Sequence, residues 1–205
     1  MPQKHRPQTL NELQILVDDL SVNLGSINTS CITDMHALFK ESKRKDFSGI
    51  NSWDTSRVVD MMFMFQGAKH FNQPLDKWNV SNVSNMAFMF CNAINFNQPL
   101  QSWDTSSVQD MEGVFCGALN FNQPLNSWNV SSVEYMEQMF FGASKFNQPL
   151  DKWDTSKVKF MDKMFLDAAN FRQNLDSWNV KRIKKFSRVM FLGSPLQDNP
   201  PKWLQ

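Results

Sequence analysis

Large apolar residues recur along this chain every 25 positions, and polar residues fill the gaps with the same period. Trp53, Trp78, Trp103, Trp128, Trp153, Trp178 and Trp203 are all of its tryptophans. Leu75, Leu100, Leu125, Leu150 and Leu175 stand three positions before a Trp, and Ser56, Ser81, Ser106, Ser131 and Ser156 stand three after one. Met61, Phe65, Ala68 and Phe71 recur in step with them. This is the signature of a stacked repeat protein, in which one unit cannot bury its apolar face alone.

Within a unit the spacing changes. Leu75-x-x-Trp78-x-Val80 has the LxxLxL spacing of a leucine-rich-repeat strand. Val83, Met86, Phe90 and Ala93 fall on one face of a short helix, with Ser81 as its N-cap. Ser106 with Gln109, and Ser131 with Glu134, read as capping boxes. The Phe-Asn-Gln-Pro stretch returns the chain, because Pro disfavours helix in the residue before it. The pattern predicts an α/β repeat solenoid, leucine-rich-repeat-like, with short parallel strands on one side and short helices on the other. Helices need about 8–10 Å each against about 4.8 Å for strands, so the helical side is expected to be convex.

Residues 1–27 read as an N-terminal tail and capping helix. A Thr9–Glu12 capping box opens that helix, which carries Leu10, Leu13, Val17, Leu20 and Leu24 on one face. Residues 28–205 read as a single solenoid of about seven coils. The last coil is degenerate, with Lys181 in place of Ser and Phe186 in place of Met. A basic insertion, Lys40 to Lys45, interrupts the first coil, and the last carries Lys181, Arg182, Lys184, Lys185 and Arg188.

The unit W-x-x-S-x-V-x-x-M-x-x-M-F-x-x-A-x-x-F-N-Q-P-L, from about Thr29 to Val180, closely resembles the BspA-like bacterial leucine-rich repeat surface proteins. The segment from Leu24 to Met35 is similar to the start of that family's repeat domain. The resemblance implies adhesion or other protein binding, a cell-surface or secreted location, and no catalytic residues.

Charge and composition narrow the picture. The 21 basic and 20 acidic side chains leave a formal net charge of +1, so no global field favours nucleic acid or anionic membrane. Eighteen Phe, 13 Met and seven Trp call for a large core. Of the three cysteines, Cys31 stands alone while Cys91 and Cys116 sit one repeat apart and read as small core residues. A bridge between those two would need Cα atoms within about 7 Å. The opening residues MPQKHRPQTLNELQ hold no apolar signal region, and no apolar run is long enough for a transmembrane helix. Sequence alone therefore reads as cytoplasmic, with no membrane insertion. His5, His36 and His70 are scattered, and no phosphate loop, dinucleotide turn, nucleophile elbow or zinc motif is present. The expectation is a protein without catalytic residues, metal or cofactor.

If Leu75, Trp78 and Val80 face inward, the residues between them face out. The position after Trp alternates strictly between acid and amide, and the next between Thr and Val. Alternation separates like charges by roughly 10 Å, near the screening length at physiological salt. The candidate binding face comprises Asp54, Asp76, Lys77, Asn79, Asp104, Asn129, Asp151, Asp154 and Asn179. Phe63 and Phe88 form a candidate apolar patch, or else pack toward the N-terminal cap. The expected function is a monomeric protein-binding repeat module with adhesin-like surface recognition. An intracellular bacterial scaffold or secreted effector using the same surface is the alternative.

Overall fold

The computed structural model describes residues 4–184 and 188–205. The capping helix forms as α1 (Leu10–Asp18), with Thr9 Oγ1 accepting the Glu12 N–H and the Glu12 carboxylate accepting the Gln8 N–H. Leu13 and Val17 are buried beneath it. The helix is shorter than expected: Leu20 lies beyond its end and is 65% exposed, while Leu24 is buried in a separate 3-10 turn, Leu24–Ser26. Arg44, from the basic insertion, is buried and donates to the carbonyls of Val17, Asp19 and Val22. It satisfies acceptors that the end of a helix leaves open.

The coils overturn the expected α/β architecture. Among the described residues the remaining regular elements are short 3-10 turns, and no strand exceeds a single bridged residue. The segment read as a strand is a pair of turns, closed by Trp78 N–H on Leu75 O and by Val83 N–H on Val80 O. Apart from His5–Ile27, the parallel bridges lie instead on the segment read as helix, running Asp34, Asp60, Asn85, Asp110, Tyr135, Phe160, one residue per coil.

In that segment alternate N–H groups have different partners. Those of Met61, Phe63, Phe65 and Gly67 donate to Asn85, Ala87, Met89 and Cys91 of the next coil, at 2.7–2.9 Å. Those of Met64, Gln66 and Ala68 close turns onto Met61, Phe63 and Phe65. The alternation requires left-handed backbone, seen at Phe63 (φ 59°), Gly67 (φ 67°), Phe88 (φ 55°) and Asn92 (φ 56°). An α-helix cannot pass through such residues. Four columns of peptides therefore run through the stack with every N–H pointing toward the C-terminal coil. One column opposes them, Ser84 N–H donating back to Val59 O and Gln109 N–H to Ser84 O. Side-chain amides meet both ends: Gln14 Nε2 donates to Leu38 O, and Gln197 Oε1 accepts the Gly193 N–H.

The core is a set of aromatic columns. Phe65, Phe90, Phe115, Phe140 and Phe165 stack at 5.5–5.8 Å, each with a companion from the Phe71 series at 3.9–4.1 Å. Trp53 to Trp178 are 3–4% exposed. Each of their indole N–H groups donates to a carbonyl of the preceding coil, as Trp78 does to Ile50 and Trp103 to Leu75, both at 3.0 Å. Trp ring pairs are 6.1–6.5 Å apart, whereas Phe63–Phe88 and Tyr135–Phe160 on the bridged segment are 5.4 and 5.3 Å apart. The physical basis for a convex helical side is therefore absent, since among the described residues no helices spread the bridged segment. Half-buried amides tie the return segments together: Asn97 N–H and Gln98 Nε2 both bond Asn72 Oδ1, and the pattern repeats up to Arg172 and Gln173 on Asn147.

Candidate binding face

The residue after each Trp has a local task. Its side-chain oxygen accepts the backbone N–H two positions on, in the pairs Asp54–Ser56, Asn79–Ser81, Asp104–Ser106, Asn129–Ser131, Asp154–Ser156 and Asn179–Lys181, at 3.0–3.2 Å. Asp and Asn both close this turn. It needs a short side-chain oxygen, which an amide supplies as well as an acid. The serine expected to cap a helix is instead the donor. Its hydroxyl and then its N–H hold the carboxyls of Asp54, Asp104 and Asp154 below the usual carboxylate range.

From Thr55 onward the Thr/Val alternation groups coils in pairs, while Thr29 Oγ1 donates to Asp54 O and ties the first coil to them. Thr55, Thr105 and Thr155 are buried, and their hydroxyls donate to Asn79 O, Asn129 O and Asn179 O of the following coil at 2.9–3.0 Å. The same three pairs of coils carry the Trp53–Trp78, Trp103–Trp128 and Trp153–Trp178 ring stacks. Val80 and Val130 are equally buried but have no hydroxyl to offer.

All nine candidate residues are exposed, in rows beside the buried Trp column. Neighbouring coils hold several of them. Asn51 Nδ2 donates to Asp76 Oδ1 while Asn51 Oδ1 accepts the Lys77 N–H, and Asn126 Nδ2 donates to Asp151 Oδ1. Phe63 and Phe88 are half-buried and stacked. Lys40 Nζ lies 4.9 Å from the Phe63 ring centre and His36 sits beside the same ring, so Phe63 meets the first coil rather than the 1–27 cap. The basic residues of the last coil gather less clearly. Lys184 lies over the Phe160 ring, and Lys185 and Phe186 lie outside the described residues.

A second charged group was not anticipated. Glu112, Glu137 and Asp162 occupy equivalent places in successive coils, with Asp110 beside Glu112. Burial pushes the carboxyls of Asp110, Glu112 and Glu137 up, and their neighbours' charges add to it. Glu137 Oε2 and Asp162 Oδ1 are buried without a hydrogen-bond partner. Earlier coils carry Met62 and Ala87 at this place, so the motif does not mark it; like charge at the repeat spacing was the available signal. Among the described residues no group of three His, Cys, Asp or Glu side chains could hold a metal, and no helix is long and apolar enough to cross a membrane.

Coils that repeat in sequence and stack on one another through a shared core define a tandem-repeat protein. The family described as Mycoplasma protein of unknown function, DUF285, matches the chain over residues 10–116 and again over 95–203, and the chain belongs to that family. No curated protein and no solved structure matches it.

Proposed function

We propose that this chain is a non-catalytic, BspA-like protein-binding module that recognises a partner protein at a cell surface through the face beside the Trp column. The reading rests on the exposed acid and amide row at Asp54, Asn79, Asp104, Asn129, Asp154 and Asn179, held on a buried aromatic stack. Half of those positions are Asn, and their turns close equally well. The three carboxylates are thus surplus to the turn and stay ionised well below neutral pH. Spaced two coils apart, they suit a partner with separated basic side chains, and a preformed face keeps the ordering cost of binding low.

The test is binding of the chain to immobilised host matrix and surface proteins, compared with a triple Asp54→Asn, Asp104→Asn, Asp154→Asn variant. Each change keeps the turn and removes one charge. Binding to a partner should weaken about tenfold or more and lose most of its salt dependence, with only a small fall in melting temperature as each turn exchanges a charged acceptor for a neutral one. Equal binding by the triple variant would remove this face from consideration.

A further inference from the structure

Cys91 and Cys116 occupy the same place in successive coils, those beginning at Trp78 and Trp103. Both are buried, at 4% and 9% exposure, and both are free thiols. The two coils are held in register around them by Asn92 N–H on Cys116 O at 2.6 Å and Phe90 N–H on Val114 O at 2.9 Å. Parallel backbones bonded in this way lie about 4.8 Å apart, inside the roughly 4.4–6.8 Å between Cα atoms that a disulfide spans. Both side chains leave equivalent backbone positions on the same side of the stack, and Gln66 of the preceding coil neighbours Cys91 in sequence register.

We infer that Cys91 and Cys116 form a dithiol redox site, oxidised by small-molecule disulfides to a covalent staple between two adjacent coils. The two sulfurs occupy equivalent places in adjacent coils, so either can attack first. The thiolate of one displaces one thiolate from the incoming disulfide and leaves a mixed disulfide on that sulfur. The other thiol then loses its proton, attacks that sulfur and expels the second thiolate. One disulfide is consumed, two small thiols are released carrying the two protons, and the S–S bond between the coils is the product. Burial of both sulfurs makes the reaction slow, and their adjacent places favour the second step over a lasting mixed disulfide.

The experiment uses the full chain with oxidised glutathione under native conditions, followed by alkylation in denaturant and mass mapping. Cys31, half-buried beside Arg6, is the internal control. The expected product is about 2 Da lighter, has Cys31 as its one alkylated thiol, yields a Cys91–Cys116 cross-linked peptide, and reverts with dithiothreitol. Its melting temperature should rise by roughly 5–10 °C, because the staple closes one full coil. A Cys31→Ser variant leaves both buried thiols untouched and should give the same cross-link. Three alkylated thiols after prolonged exposure, glutathione retained on Cys91 or Cys116, or a Cys31-linked dimer without the internal cross-link would each overturn the assignment.

Discussion

Glu137 and Asp104 show how one side-chain type serves opposite ends at different sites. Asp104 is exposed, accepts a hydroxyl and an N–H from Ser106, and is held below its ordinary value of 3.8. The stability it adds is present above that value and is lost as pH falls through its folded pKa. Glu137 is half-buried, faces Glu112, Asp110 and Asp162, and is raised above its ordinary value of 4.5. Here the folded chain holds the proton more tightly than the unfolded one, so stability falls as pH rises through that range. Glu137→Gln should therefore stabilise the chain at pH 7 by on the order of 1 kcal/mol and change little at about pH 4. Urea denaturation at the two pH values measures the difference, and an equal effect at both would show that charge is not the cause.

Each coil's turn-rich segment explains why helical spacing was read into it. Val83, Met86, Phe90 and Ala93 are all buried, as that spacing requires. A turn closed from residue i to i+3 brings the same positions to one side as a helix does, and burial alone cannot tell them apart. The deciding feature is positive φ. Gly67, Gly117 and Gly142 advertise it, but Phe63, Phe88, Gln138 and Lys163 adopt it with side chains that give no sign. The inward residues were legible because large apolar side chains at a fixed repeat share the core whatever the local backbone. The pairing of coils was visible as a Thr/Val alternation, but the hydroxyl's partner was not. At Gly113 (φ 57°) a Cβ would overlap the Phe88 ring, which is itself stacked on Phe63. Gly113→Ala should cost about 2 kcal/mol in thermal or chemical denaturation, whereas Gln138→Ala, at the equivalent left-handed place, should cost less than half of that.

Over the whole molecule, the two ends are chemically different. A peptide dipole of about 3.5 D repeated every ~4.8 Å leaves roughly 0.15 of an elementary charge at each end of one column. Four columns share a direction and one opposes, so the poles carry about 0.45, close to those of a single long α-helix. The sense along the chain is reversed. Carbonyls face outward at the first coil, which becomes the negative pole, in a protein whose net charge is only +1. Lys40, Lys43, Arg44 and Lys45 all belong to that first coil. Replacing the three lysines by Gln should lower the melting temperature in dilute buffer, and the difference should shrink at about 0.5 M salt. That outcome would make the basic insertion, whose cationic side chains outweigh Asp34, Glu41 and Asp46 of the same coil by one charge, the counter-charge to an electric axis that the stacked peptides create.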